Sequence, residues 1–479
     1  MNRSSQVIEE IIFLIAVISL ASVSPVQGHS DDFRHPITWS KTYVSGVAIS
    51  VQMSINDKSL IVAGNAGYGW AMKTDIEGNP EWSNLYHPTG YLDSSLSGRL
   101  TRTKGGGYIL AGYSISAGYT SGVDAWLLKL DRGGNPEWSK TYGGPKDDRF
   151  LMAQQTPDGG YIAIGNTNLI RCCSSGWVVK TDSGGNVVWQ ETFVGEDIHS
   201  VVATQDGGLL VTGAVEVHND NAALWVFKLD SEGRMEWQYA YDISQHDSFQ
   251  VFAASSSAEQ TRDGGFIVTA FTGRAGLLNS PQPRQAMFLR LDSDGRILWQ
   301  EMYGDGIGES EPSSVRETEE GGFIATGFSR PSYFDGKLAG VGGPWLLRLS
   351  KSGDIIWQKI YSVTNDQLLD AQETRDNGFV AVGFTQDSTW VLKTDAMGTV
   401  RGCEIGVPAN MTLVDGNAVG EYLKDLLAIS LSLDLVRPHD AVNVAVLIKD
   451  RHLFDGLVGS GIPAYGHLAH GQFVGKMEN

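Results

Sequence analysis

An acidic residue recurs at similar places along the chain: Asp93, Asp148, Asp197, Asp247, Glu309 and Asp366. Gathered around a common axis, these carboxylates could hold Ca2+, a hard cation that takes clustered oxygens. Kept apart, each would accept backbone N–H bonds within its own loop. The second role needs no convergence and ranks first, so no metal site is assigned and Ca2+ is the cation to test. Tyr119, Tyr333 and Phe334 fall in long loops, where an aromatic ring can offer a sugar a stacking surface. Cys172 and Cys173 are adjacent and could be two thiols or a vicinal disulfide. With Cys403 they are the only cysteines, too few for a disulfide framework. His467 and His470 form a lone HxxH near His452, with no carboxylate or third ligand at motif spacing. Only His199, His218 and His246 fall near the fourth and fifth units, the acids being dispersed, and residues 410–412 make a glycosylation sequon. No nucleophile–base pair emerges, so no catalytic residue is assigned and no cofactor is expected.

The elements that carry these residues come from an internal repeat. One unit recurs seven times: a tight Asp-Gly-Gly-like turn, an apolar strand ending in Gly, a variable loop, a Trp-x-x-Lys-x-Asp strand, a Gly turn and a closing Trp strand. The first strand reads GGGYILAG at 105–112, DGGYIAIG at 158–165 and DGGLLVTG at 206–213. The second reads WLLKLD at 126–131, WVVKTD at 177–182 and WVFKLD at 225–230, and WSKTY at 138–142 typifies the third. Asp-Gly and Gly-Gly supply the positive φ that tight hairpins need. Strands such as Trp126-Leu127-Leu128 are apolar on both faces, so a sheet of them must be covered on both sides.

Two defects in the repeat complement each other. A closing strand, WSKTY at 39–43, stands alone before the first unit, while the seventh unit reaches Gly402 and Cys403 where its Trp belongs. The N-terminal strand is therefore expected to complete the last unit. Four strands in about 50 residues match a propeller blade. The expectation is an all-β, seven-bladed β-propeller over residues 36–403, with a C-terminal extension of uncertain α/β structure over 404–479. In that extension residues 419–436 mix helix-like spacing with apolar content, and residues 441–448 read as a strand.

Residues 11–23 form an apolar run suited to a signal-peptide core and short for a membrane span of about 20 residues. Residues 1–28 are read as a signal peptide cleaved before His29, with an uncleaved anchor as the alternative. A secreted, extracellular or cell-envelope location without a stable membrane span follows. The net charge of −19 disfavours nucleic acid and anionic lipid. The 58 glycines among 479 residues exceed the usual ~7% and suit many tight turns.

The units resemble secreted bacterial and archaeal β-propeller repeats that carry a DGGYI-AG strand followed by W-LKLD-GN-W-KTYGG. The match is fullest in DAWLLKLDRGGNPEWSKTYGG at 124–144, and RGCEIG at 401–406 is similar to the tail such repeats carry. More distantly, the Asp…Gly…Trp hairpin is similar to the tryptophan-docking repeat of quinoprotein dehydrogenases, although KTDIEGNPEW is one residue shorter between Asp and Gly. The resemblance implies architecture and little activity. Long, varied connections such as 271–285 and 328–344 place any ligand site on one face, at the crown of the fifth and sixth units. The functional expectation is a monomeric, non-catalytic scaffold binding a protein or glycan. The alternative is a propeller enzyme, either a quinoprotein-like oxidoreductase or a carbohydrate-active hydrolase or lyase.

Overall fold

The structure, a computed structural model, describes residues 38–400 except for 55–57, 89–90, 117–121, 145, 171–172, 195–196, 217–221, 242–249, 276–283, 305–308, 331, 335–336, 340–341, 362–365 and 386–387, and it adds short strands between 412 and 476. Each tight turn is built by its own sequence. In the third unit the Thr156 hydroxyl donates to Asp158 (2.5 Å), whose same oxygen accepts Gly160 N–H (3.1 Å), while Gly159 takes φ 88°. Asn377 occupies the equivalent place in the seventh unit at φ 60°, a left-handed conformation that Asn tolerates. In the second turn Asp131 Oδ1 accepts the N–H groups of Gly133 and Asn135, both at 2.8 Å.

The strand between those turns carries the repeated cation, which bonds back to a nearby acid. Lys180 meets Asp158 at 2.8 Å, Lys228 meets Asp206 at 2.8 Å, Arg290 meets Asp263 at 2.5 Å and Lys393 meets Asp376 at 2.9 Å. These cations are buried and their acids more exposed, so the side chains are committed to their own hairpins.

Seven antiparallel sheets result, each numbered here as a blade from its inner strand outward. Blade 1 holds Val47–Met53, Ser59–Asn65, Gly69–Asp75 and Pro80–Tyr86. Blade 2 begins with an inner strand in two pieces, Tyr91–Leu96 and Thr101–Arg102, and ends with Pro136–Tyr142. Blade 3 runs from Asp148–Gln155 to Val187–Val194, blade 4 from Asp197–Ala203 to Met235–Tyr241, and blade 5 from Gln250–Gln260 to Ile297–Gly304. Blade 6 runs from Glu309–Glu317 to Ile355–Ile360. Blade 7 holds Gln367–Glu373, Phe379–Thr385 and Ser388–Thr394, and its outer strand is the N-terminal Trp39–Ser45, in the register Lys41 against Val391. The split last blade expected from the repeat is present.

The core shows that the sheets form a ring. Seven buried apolar clusters each straddle one seam between neighbours. One of them joins Val51, Leu60 and Val62 of blade 1 to Val380, Val382 and Val391 of blade 7, so the last sheet packs on the first. Neighbours supply the cover that a two-faced apolar sheet cannot give itself. No helix occurs among the described residues. In the extension Ile429–Asp434 and Asn443–Leu447 are strands, while Thr412–Leu413 pairs with the outer strand of blade 5.

The closing strands fasten each blade to the next. Their indole N–H groups donate to backbone carbonyls in the following blade's second turn: Trp39 to Ile76, Trp138 to Ser183, Trp189 to Ser231, Trp299 to Lys351 and Trp357 to Ala396, at 2.9–3.4 Å. Four residues on, a tyrosine hydroxyl donates to the turn glycine's carbonyl, as Tyr86 does to Gly134 (2.8 Å) and Tyr361 to Gly398 (2.6 Å). Burial raises these phenols, that of Tyr86 to about 12, so they remain donors at ordinary pH. Blade 3 carries Phe193 at this position and has no such hydroxyl. A Cβ on Gly134 would lie 2.6 Å from the Trp82 ring, so glycine is needed there for close approach as well as for its φ of 80°.

Candidate functional site: the crown of blades 5 and 6

The two turns of every unit lie at one end of the strands, and the long connections lie at the other. The described ones among the recurring acids stand at that second end, where the inner strands begin. Asp148 is buried and accepts Gly144 N–H at 2.7 Å within its own loop. Asp366 is also buried, just before the inner strand of blade 7. Asp197 is exposed near His199, whose pKa is lowered by burial against the opposing pull of Asp197. His199 Nδ1 has no hydrogen-bond partner among the described residues. Glu309 pairs with Arg330 at 3.6 Å. The side chains of Asp93 and Asp247 lie outside the described residues, as do those of Tyr119, Tyr333, Phe334, Cys172 and Cys173 and the histidines of the extension. Among the described residues no three His, Cys, Asp or Glu side chains gather as a metal site would require.

Arginines stacked on aromatic rings are the crown feature that the sequence reading missed. Arg284 lies 5.5 Å from the Phe271 ring centre, Arg330 lies 4.9 Å from that of Phe328 and Arg149 lies 4.6 Å from that of Tyr113. Each ring immediately follows the residue that ends the second strand's repeat motif: Gly112, Ala270 or Gly327. Blades 1, 3 and 4 carry Asn65, Asn166 and Ala214 there and blade 7 carries Phe384, so an aromatic in four blades of the seven is the partial signal the sequence offered.

Two of the three platforms sit on adjacent blades and are braced together. Arg284 forms an ion pair with Glu311, and its carbonyl accepts Ser310 N–H at 2.8 Å. Glu309, on the same inner strand, holds Arg330. Phe271, Arg284, Glu309, Glu311, Phe328 and Arg330 thus alternate charge and ring across the seam between blades 5 and 6. Guanidinium over a ring is worth about 0.5–1 kcal/mol when exposed, enough to orient the arginine. Such a surface can stack on a flat ligand face and offer N–H donors beside carboxylate acceptors. The hairpin of Ser332–Phe334 with Lys337–Ala339 rises from the same blade 6 connection.

The short-turn face has clefts as well. One of about 520 Å³ opens near Lys129, Asp131, Gln155 and Tyr161, and one of about 390 Å³ opens near Lys180, Asp182, Trp189 and Ser231. Their charged groups are held locally: Lys129 pairs with Glu137 and Lys180 with Asp158, both at 2.8 Å, and Asp131 and Asp182 accept backbone N–H groups of their own turns.

Fold and seams together define the class: a seven-bladed β-propeller closed by its N-terminal strand. No protein-family model matches the chain. No curated protein matches it either. Among solved structures it is similar to a protein of unknown function from Bacteroides caccae, with 13% identity over 63% of this chain and 92% of that one at a TM-score of 0.36. It is also similar to the β-propeller domain of Cps50 (Swd1) from Myceliophteria thermophila, with 10% identity over 74% of this chain and 98% of that one at a TM-score of 0.46.

Proposed function

We propose that this propeller is a secreted or cell-envelope binding scaffold whose variable-loop face receives a protein or glycan, with the crown of blades 5 and 6 as the principal contact. The observation that carries the reading is the pair of braced platforms, Phe271 with Arg284 and Phe328 with Arg330. Rings held by a rigid scaffold can stack on a ligand with little ordering cost, and recognition sites concentrate on variable loops over such frames. The crown's described carboxylates are committed to arginines, an arrangement suited to recognition more than to proton transfer. Calcium at the recurring acids would be an addition to this role, so binding is measured with and without it.

A glycan array followed by titration of the retained glycan tests the reading. Saturable binding without turnover is expected, weakened at least tenfold by joint Phe328→Ala and Arg330→Ala substitution. Turnover of the retained glycan, or binding that ignores these substitutions, would contradict it.

A further inference from the structure

The axis of the ring carries a charged cluster that the crown reading does not use. Four residues before the first turn's Thr or Ser, the inner strands bring one residue each to a common level: Ser50, Ser200, Ser257 and Ser314 in blades 1, 4, 5 and 6. Blade 7 places Asp370 there, blade 3 places Met152, against which Ser200 lies (3.8 Å), and blade 2 places Arg99. Four serines leave room at that level, and Met152, one long cation and one acid occupy it.

Blade 2 is built to send that cation inward. Its inner strand breaks between Leu96 and Thr101, whereas the other inner strands run unbroken. At the break, a Cβ on Gly98 would lie 1.8 Å from the Leu151 carbonyl of blade 3, so only glycine fits. The next residue, Arg99, donates to Ser257 Oγ of blade 5 at 3.0 Å and lies 3.6 Å from Asp370 of blade 7. A blade 2 side chain that reaches blades 5 and 7 has crossed the axis. Asp370 is fully buried and accepts from Ser50 Oγ and Val51 N–H of blade 1, both at 3.0 Å, and from Arg316 of blade 6 at 2.7 Å. Burial works to raise the Asp370 carboxyl, but Arg316 and then Arg99 hold it below the usual carboxylate range.

We propose that Arg99 is the plug of the axial channel, a single side chain that crosses the serine level to Asp370, separates the two faces and ties the ring together from inside. Asp370 is the hub of this inner closure and bonds the last blade to the first, as the N-terminal strand does at the rim. The proposal is independent of any ligand at the crown.

Small-molecule replacement tests it. Arg99→Ala should lower the unfolding midpoint by roughly 5 °C, because a buried acid loses one of its cations. Methylguanidinium should bind this variant saturably at one site, recover part of the loss and leave the native chain unaffected. The Arg99→Ala, Asp370→Asn double variant should bind none. Equal methylguanidinium response in all three, or an unchanged midpoint in the single variant, would overturn the plug. Native hydrogen exchange needs no variant: the Arg99 Nε–H should exchange far more slowly than that of exposed Arg132, and equal rates would also overturn it.

Discussion

The rim and the axis close the same ring by different means. At the rim, one bond type repeats: a Trp indole and a Tyr hydroxyl from one blade reach the glycine turn of the next. At the axis, unique residues meet: Arg99, Arg316 and Asp370, with no counterparts in the other blades. A repeated bond is redundant, and losing one copy leaves the others in place. A unique hub has no substitute, and its loss strands a buried charge. Rim bonds therefore confer graded stability, whereas the axial hub and the latch strand decide closure.

The sharpest way to break this comparison is to remove the latch. Deleting residues 38–45 takes away the outer strand of blade 7 together with the Trp39 and Tyr43 bonds to blade 1. The expected loss is about 5 kcal/mol or more, seen as an early, broadened transition in urea. A transition that coincides with the native one would mean the ring does not depend on its outer latch.

A single rim bond should cost much less. Tyr303→Phe removes the hydroxyl that donates to the Gly353 carbonyl, and a loss of about 1–2 kcal/mol is expected by chemical denaturation. Blade 3 already carries Phe193, so Phe193→Tyr should be neutral or stabilise by up to about 1 kcal/mol if the Gly233 carbonyl accepts it. A collapse of the fold in Tyr303→Phe would show that the rim bonds are not redundant.

The smallest effect lies in the hairpin acids. Asp158 and Asp206 are pushed up by burial, but hydrogen bonds from Lys180 and Lys228 outweigh it and hold both at about 2; Asp263, bonded first by Thr261, also sits at about 2. Their folded values lie below the ordinary ~3.9 of an unfolded chain. Their contribution is therefore complete above about pH 4 and lost as pH falls through about 2. All three are substantially exposed, so solvent screening keeps the effect modest. Carboxyl titration by NMR checks the values, and midpoints near 4 for all three would show that the ion pairs do not persist in solution.

The same contrast explains what could be read from the sequence. Rim bonds were legible because the Trp strand, the Gly turn and the Asp before it recur with each unit, and because WSKTY at 39–43 and the unfinished seventh unit were complementary. The axis was not legible. Asp370 is one of 55 acidic residues, and nothing local marks it as the partner of Arg99, which lies 271 positions away in the chain. The acids that repeat, such as Asp148 and Glu309, stand out in the sequence, yet a contact across a ring is made by residues that do not repeat. The crown arginines were missed for a related reason. Arg149 of blade 3 finds Tyr113 of blade 2 only when the blades pack, Arg284 finds Phe271 only when its hairpin folds, and the aromatic that follows the second strand's motif in blades 2, 5, 6 and 7 carries no chemistry until a guanidinium covers it.

Closure itself is tested most directly by a covalent bond across the latch. Lys41 and Val391 are register partners on the outer and third strands of blade 7, and opposed residues of an antiparallel pair lie within disulfide reach. With the three native cysteines replaced by serine, Lys41→Cys with Val391→Cys should oxidise to a cross-linked monomer and raise the unfolding midpoint. If the two thiols stay reduced, or pair only between molecules, the N-terminal strand does not complete the seventh blade and the closed ring is wrong.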